Sequence, residues 1–284
     1  MVQMKEMTLQ SFIGKAKEKL SETAEQILIS WTEEIAPLSM IDLLKRTERS
    51  EENRLFWANN ERNFMLLGFG TTETIVAEDD RYDKLQEKWD YLVEEAYVYN
   101  PYKEEGTGLT AFGGMSFDPL HEGSEMWRLF PTSQLTIPRY LIVFNNGTYY
   151  FTVNRYIEES EDINTIVNEV ENTLALLQEE RTEDHSFRQK IVEQIEKDPE
   201  GWKASVQRAV DTIRANKAEK IVLARELRLS FAHRVQISVL VERLMASQAQ
   251  AYVFAYEQGD DCFIGASPER LVYVRGDSLL STCL

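Results

Sequence analysis

The sequence predicts a mixed α/β protein, because strand-like and helix-like stretches alternate along the chain instead of segregating into blocks. The run LIVFNNGTYYFTV (141–153) places Asn-Gly between two apolar, β-branched and aromatic segments, the signal of a tight hairpin. In DKLQEKWDYLVEEA (83–96), Leu85, Trp89, Leu92, Val93 and Ala96 share one helical face. A hydrophobic fraction of 43% over 284 residues is enough to build a substantial core.

An amphipathic helix over about 8–26 leads into the strand ILISW. FWA (56–58) and FMLLGFG (64–70) read as neighbouring strands before the helix at 83–96. TAFGGMSFDP (110–119) and the hairpin over 139–153 return to strand. Ile163, Ile166, Val167, Val170, Leu174 and Leu177 then mark a long helix. The charged stretch 179–201 is the expected boundary, with a short helix inside it, giving domains at 1–195 and 196–284. Asp198-Pro199 is a start signal for a helix with Trp202, Val206, Ala209, Val210 and Ile213 on one face. AEKIVLAREL (218–227) reads as a buried strand. A helix carrying Ile237, Leu240, Val241, Leu244 and Met245 follows, then strands at AYVFAYE, CFIGA, RLVYV and SLLSTCL. The last of these has no polar tail, so the reading is of a chain cut in mid-strand.

A formal net charge of −17 without any basic run argues against a nucleic-acid partner. Small anions are repelled too, so an anion site must be locally basic or bridged by a metal ion. The two cysteines, Cys262 and Cys283, form no metal-binding pair, and His121, His185 and His233 are scattered. No apolar run reaches signal-peptide or membrane-spanning length; a cytoplasmic protein, expected as a monomer, follows. Gly106, Gly108 and Ala111 fit a loose dinucleotide-binding pattern, but no strand precedes and no helix follows them.

Two constellations carry chemistry. In AEKIVLAREL, strand alternation puts Lys220, Val222, Ala224 and Glu226 on one face and the bulkier Ile221, Leu223, Arg225 and Leu227 on the other. Lys220 thus opens onto small side chains that leave room for a ligand, although a lysine at a strand start also snorkels to solvent. In FIGASPERLVYV (263–274), Pro268 stiffens a turn that ends on Glu269. An exposed glutamate on an ordinary turn is the plain alternative.

Together EKIVLAREL (219–227) and FIGASPERL (263–271) resemble the chorismate-utilising enzymes, specifically the isochorismate synthases, with FGGMSFDP (112–119) and TIPR (136–139) as further likeness. The resemblance implies an anthranilate-synthase-like architecture of stacked, antiparallel-rich sheets flanked by helices, here truncated. It implies that Lys220 is the general base that activates water and Glu269 the general acid toward the departing hydroxyl. Leu284 falls on the leucine of the family's Leu-Ala-Gly-Thr segment and is a substrate-contact candidate. The cofactor implied is Mg²⁺, with its ligands expected downstream of residue 284 and none on this chain. Arg225 and Arg270 could supply local positive charge, but Arg225 is expected to pair with a helix acid and Arg270 to face solvent.

The implied reaction is conversion of chorismate to isochorismate, within menaquinone biosynthesis by the length preceding Lys220. A siderophore-pathway enzyme, a salicylate synthase and a non-catalytic α/β binding protein are the alternatives. A free amine and a free carboxyl are both charged at neutral pH, the wrong state for these roles, and a poorly solvated pocket disfavours both charged forms. Lys220 and Glu269 are therefore expected to flank a dry cavity from separate strands without an ion pair. The 284 residues alone are expected to be inactive.

Overall fold

The computed structural model describes residues 7–23, 25–47, 52–118, 125–179 and 190–282. The chain divides into two units, residues 1–180 with 237–284, and residues 181–236.

The first unit is built on a nine-stranded sheet. Its strands are β1 (Gln26–Ile35), β2 (Arg54–Ala58), β3 (Phe64–Val76), β4 (Tyr97–Tyr99), β5 (Phe112–Met115), β6 (Ser133–Asn145) and β7 (Thr148–Glu158), joined much later by β10 (Tyr252–Gln258) and β11 (Asp261–Ser267). The order is β11-β10-β2-β3-β6-β7-β1-β4, with β5 also on β6. Every pairing is antiparallel except β1 with β4. The mixed α/β class expected from the alternation is what forms, antiparallel-rich as the resemblance implied. The sheet draws strands from both sides of position 195/196, because β10 pairs with β2.

Alternation along the strands decides which side chains go where. On one face, Phe56, Leu67, Ile142, Phe151 and Val253 pack against helices α2 (Met40–Thr47), α4 (Ile163–Gln178) and α6 (Ile237–Ser247). Helix α1 (Leu9–Thr23) inserts Phe12, Ile13 and Ala16 against Ile27, Ile29 and Trp31 of β1. Leu28 points the other way, to Leu85 and Leu92 of α3 (Arg81–Glu95). Both faces of β1 are covered, in keeping with ILISW being apolar at every position but the buried Ser30. Val93, expected on the buried face of α3, is 44% exposed, while Trp89 and Ala96 pack as expected.

Local chemistry fixes the turns. Asn146 and Gly147 have φ of 49° and 97°, the left-handed pair that a two-residue hairpin requires. Asp162 caps α4 by accepting from the Thr165 N–H at 3.0 Å. Pro138 of the TIPR segment lacks an N–H, and β3 shifts register opposite it, between Thr71 and Glu73. Arg54 is buried, donating to both carboxylate oxygens of Glu257 at 2.8 and 2.5 Å and to the Leu44 carbonyl at 2.9 Å. This clamp holds β10 to β2 and to the end of α2. The same unit ends in a separate hairpin, β12 (Arg270–Arg275) with β13 (Ser278–Thr282).

The second unit holds β8 (Ile191–Glu196), α5 (Pro199–Arg214) and β9 (Leu227–Phe231), with β8 and β9 antiparallel. Two expectations are corrected here. The charged boundary contains strand β8 where a short helix was expected, since Ile191, Glu193 and Ile195 pair across to β9 instead of winding. The stretch 218–226 is neither strand nor buried. Val222 is 80% exposed and the backbone of 220–226 is irregular. A strand needs a neighbour to complete its ladder, and β8, the partner available in this unit, is occupied by β9 from residue 227 on.

Candidate active site

The candidate residues lie in different units, Lys220 in the second and Glu269 in the first. Each is described in its own setting.

Glu269 is delivered by the β10–β11 hairpin. Asp261 is paired with Gln258 and Gly259 takes φ of 59°, with its N–H donated to Asn53 Oδ1 at 2.9 Å. From that turn the register runs Phe254 opposite Gly265 and Tyr252 opposite Ser267. Phe254 lies over Gly265 so closely that a Cβ there would sit 2.6 Å from its ring. Trp57, the β2 partner of Phe254, meets Tyr252 with ring centroids 5.5 Å apart and Phe64 at 5.8 Å. Arg62 donates to the carbonyls of Ala251 at 2.8 Å and Gln248 at 3.0 Å, tying the β2–β3 turn to the entry of β10. Its pKa is lowered by burial.

These elements line an open cavity of about 540 Å³, walled by Trp57, Asn63, Tyr252, Phe254, Glu269 and Arg270 among others. Glu269 is exposed at its rim. Arg270 is half-buried, with its guanidinium carbon 5.6 Å from the Tyr273 ring centroid, so it does not simply face solvent as expected. Beyond it Tyr273 donates its hydroxyl to Glu105 Oε2 at 3.2 Å.

Lys220 is exposed, between the end of α5 and the start of β9. Glu226 anchors the far end of its segment: its carbonyl accepts the Lys197 N–H at 3.3 Å, and its carboxylate takes Arg228 and, at 3.4 Å, the Lys197 ammonium. The Arg228 hydrogen bond, then Lys197, hold the Glu226 carboxyl below the usual range. Arg225 reaches Glu196 at 3.9 Å, an acid on strand β8 where a helix acid was expected.

Glu269 stands at the open rim of its cavity, and Lys220 is exposed on a segment outside any strand of its own unit. Leu284 lies outside the described residues. Gly106 and Gly108 have φ of 80° and 81° in a loop against Phe64 and Asn100, not in a strand-turn-helix. Among the described residues no group of three or more His, Cys, Asp or Glu side chains could hold a metal ion. Residues here therefore do not fit the implied Mg²⁺. Nor, among the described residues, is any helix long and apolar enough to cross a membrane.

Comparison with known proteins decides the family. Residues 13–284 match the model of the chorismate binding enzymes. The chain belongs to that family. It is 29% identical, over its whole length, to the isochorismate synthase MenF of Bacillus subtilis, covering 62% of that protein. It is 25% identical over 91% of its length to a salicylate biosynthesis isochorismate synthase of Pseudomonas aeruginosa, covering 53% of it. The solved structure of the menaquinone-specific isochorismate synthase MenF from Escherichia coli superposes with a TM-score of 0.58 at 17% identity, over 92% of this chain and 56% of that one. The chain thus shares the fold of that solved structure and spans less than two thirds of the length of these relatives.

Sequence reasoning overlooked the aromatic floor under Glu269. Its signal was available: counting back from the Gly259-Asp260 turn pairs Phe254 with Gly265 and Tyr252 with Ser267.

Proposed function

We propose that this chain carries the acid and base of an isochorismate synthase of the menaquinone type, acting on chorismate with water as nucleophile. The observation that supports the reading is the family match over residues 13–284, a span that includes both motifs; the roles of Lys220 as base and Glu269 as acid are part of the proposal. The relatives named above support isochorismate as product.

The chemistry balances with these two groups alone. The Lys220 amine takes a proton from water as its oxygen bonds to C2 of chorismate. The ring double bonds shift, the bond from C4 to its hydroxyl breaks, and Glu269 protonates the departing oxygen to give water. General acid and base each contribute about 100- to 10,000-fold when positioned. No step is routed through Mg²⁺, for which the described residues present no ligand set. A cytoplasmic location completes the proposal.

In the full-length natural protein, Lys220→Ala and Glu269→Gln should each lower isochorismate formation at least about 100-fold. Release of pyruvate would instead identify a salicylate synthase. The exposure of both residues also suits a non-catalytic binding protein, and absence of any chorismate conversion by the unmutated full-length protein would establish that reading. The 284-residue chain by itself should give no isochorismate from chorismate with Mg²⁺ present.

A further inference from the structure

The stretch that presents Glu269 is held by a device the reaction scheme does not use. Ser267 is the last residue of β11, paired with Tyr252, and Glu269 lies outside any strand. Among the described residues its N–H and C=O have no ladder partner. One hydroxyl engages both: Ser267 Oγ accepts the Glu269 N–H at 3.2 Å and lies 3.4 Å from the Glu269 carbonyl oxygen, to which it donates. Pro268, between them, offers no N–H and a fixed φ. Such a serine turn replaces a backbone turn with a side-chain one.

The base of the turn is as constrained as its tip. Phe254 over Gly265 leaves no room for a side chain two residues upstream, which packs β11 closely on β10 there. The backbone of Glu269 is thus held by one hydroxyl and one proline ring.

We propose that Ser267 is the positioning residue for Glu269, fixing the backbone from which the carboxyl is aimed. The inference rests on the reading of Glu269 as general acid. Ser267 lines the same cavity as Glu269 and acts through it. Loss of aim by a fraction of an ångström is felt in the chemical step and hardly in binding.

The test is a double-mutant cycle in the full-length natural protein, measuring kcat and KM for chorismate. Ser267→Ala should lower kcat about tenfold with KM within about twofold, and Ser267→Thr, which keeps the hydroxyl, should recover to within about threefold of wild type. In a Glu269→Gln background, Ser267→Ala should change kcat by less than about twofold, since a group acting through Glu269 has nothing left to aim. Wild-type kcat in Ser267→Ala, equal losses in the alanine and threonine variants, or a full tenfold loss added to Glu269→Gln would each overturn the proposal. Wild-type kcat in Glu269→Gln alone would instead bring down the general-acid reading.

Discussion

In the sheet unit Phe56, Leu67, Ile142 and Phe151 are each exposed by 1% or less, whereas in residues 190–236 no described residue is buried. The contrast is sharpest between two helices of equal length, α4 and α5, each of 16 residues. Both carry an apolar stripe at helical spacing and both are capped by an aspartate, Asp162 and Asp198. Helix α4 buries Ile166, Val170 and Leu177; α5 buries none of its residues. Amphipathic spacing therefore specifies that a helix forms and which face seeks cover, but not that the cover is there.

The strongest way to break this comparison is by truncation on either side. Phe151→Ala should cost about 3–5 kcal/mol of stability in urea titrations, as a large side chain leaves a closed core. Ile213→Ala on α5, already 37% exposed, should cost less than about 1 kcal/mol. Equal costs would mean that α5 is covered after all. Next in size, Arg54→Ala should destabilise by about 3 kcal/mol, because it strands the largely buried Glu257 without its guanidinium.

Hydrogen exchange sharpens the comparison without mutation. Amides of β3 and β6 should exchange only with global unfolding, and those of 218–226, outside any ladder, within seconds. Protection of 218–226 equal to that of β3 would contradict the irregular backbone. The smallest effect is a titration. Burial, with the Glu73 carboxylate 3.0 Å away, pushes the Tyr156 phenol up to about 12 from an ordinary value near 10. The folded state retains that proton longer, so this stabilisation is complete below about pH 10 and fades as pH rises toward 12. Tyr156→Phe should flatten that part of the stability curve; an unchanged alkaline slope would count against it.

Most elements of the sheet unit were legible in the sequence, because their periodicities of 2 and 3.6 are answered by real neighbours. Helix α2 was overlooked, since Met40–Thr47 is only 8 residues long and shows too few turns for a pattern. Strand β4, at 3 residues, is shorter than any alternation can register. The opposite error occurred at 218–226, where a good strand pattern lacks the partner that would make it one. For the site, the identities of Lys220 and Glu269 were readable from motifs, while their surroundings were not, because enclosure depends on residues far away in sequence. Ser267 sat in plain view beside Pro268, but its role depends on hydrogen bonds that no spacing rule reports.

The bond between β2 and β10 joins residues about 200 positions apart, as the Arg54–Glu257 clamp shows. On a ribosome adding about 5–20 residues per second, the outer edge of β2 waits roughly 10–40 s for its neighbour. During that interval Leu55 and Phe56, later among the most sheltered side chains, are adjacent to an unpaired row of amides and carbonyls. Nascent chains of this protein should therefore depend on a chaperone holding that edge, and their yield should track synthesis speed more than final stability.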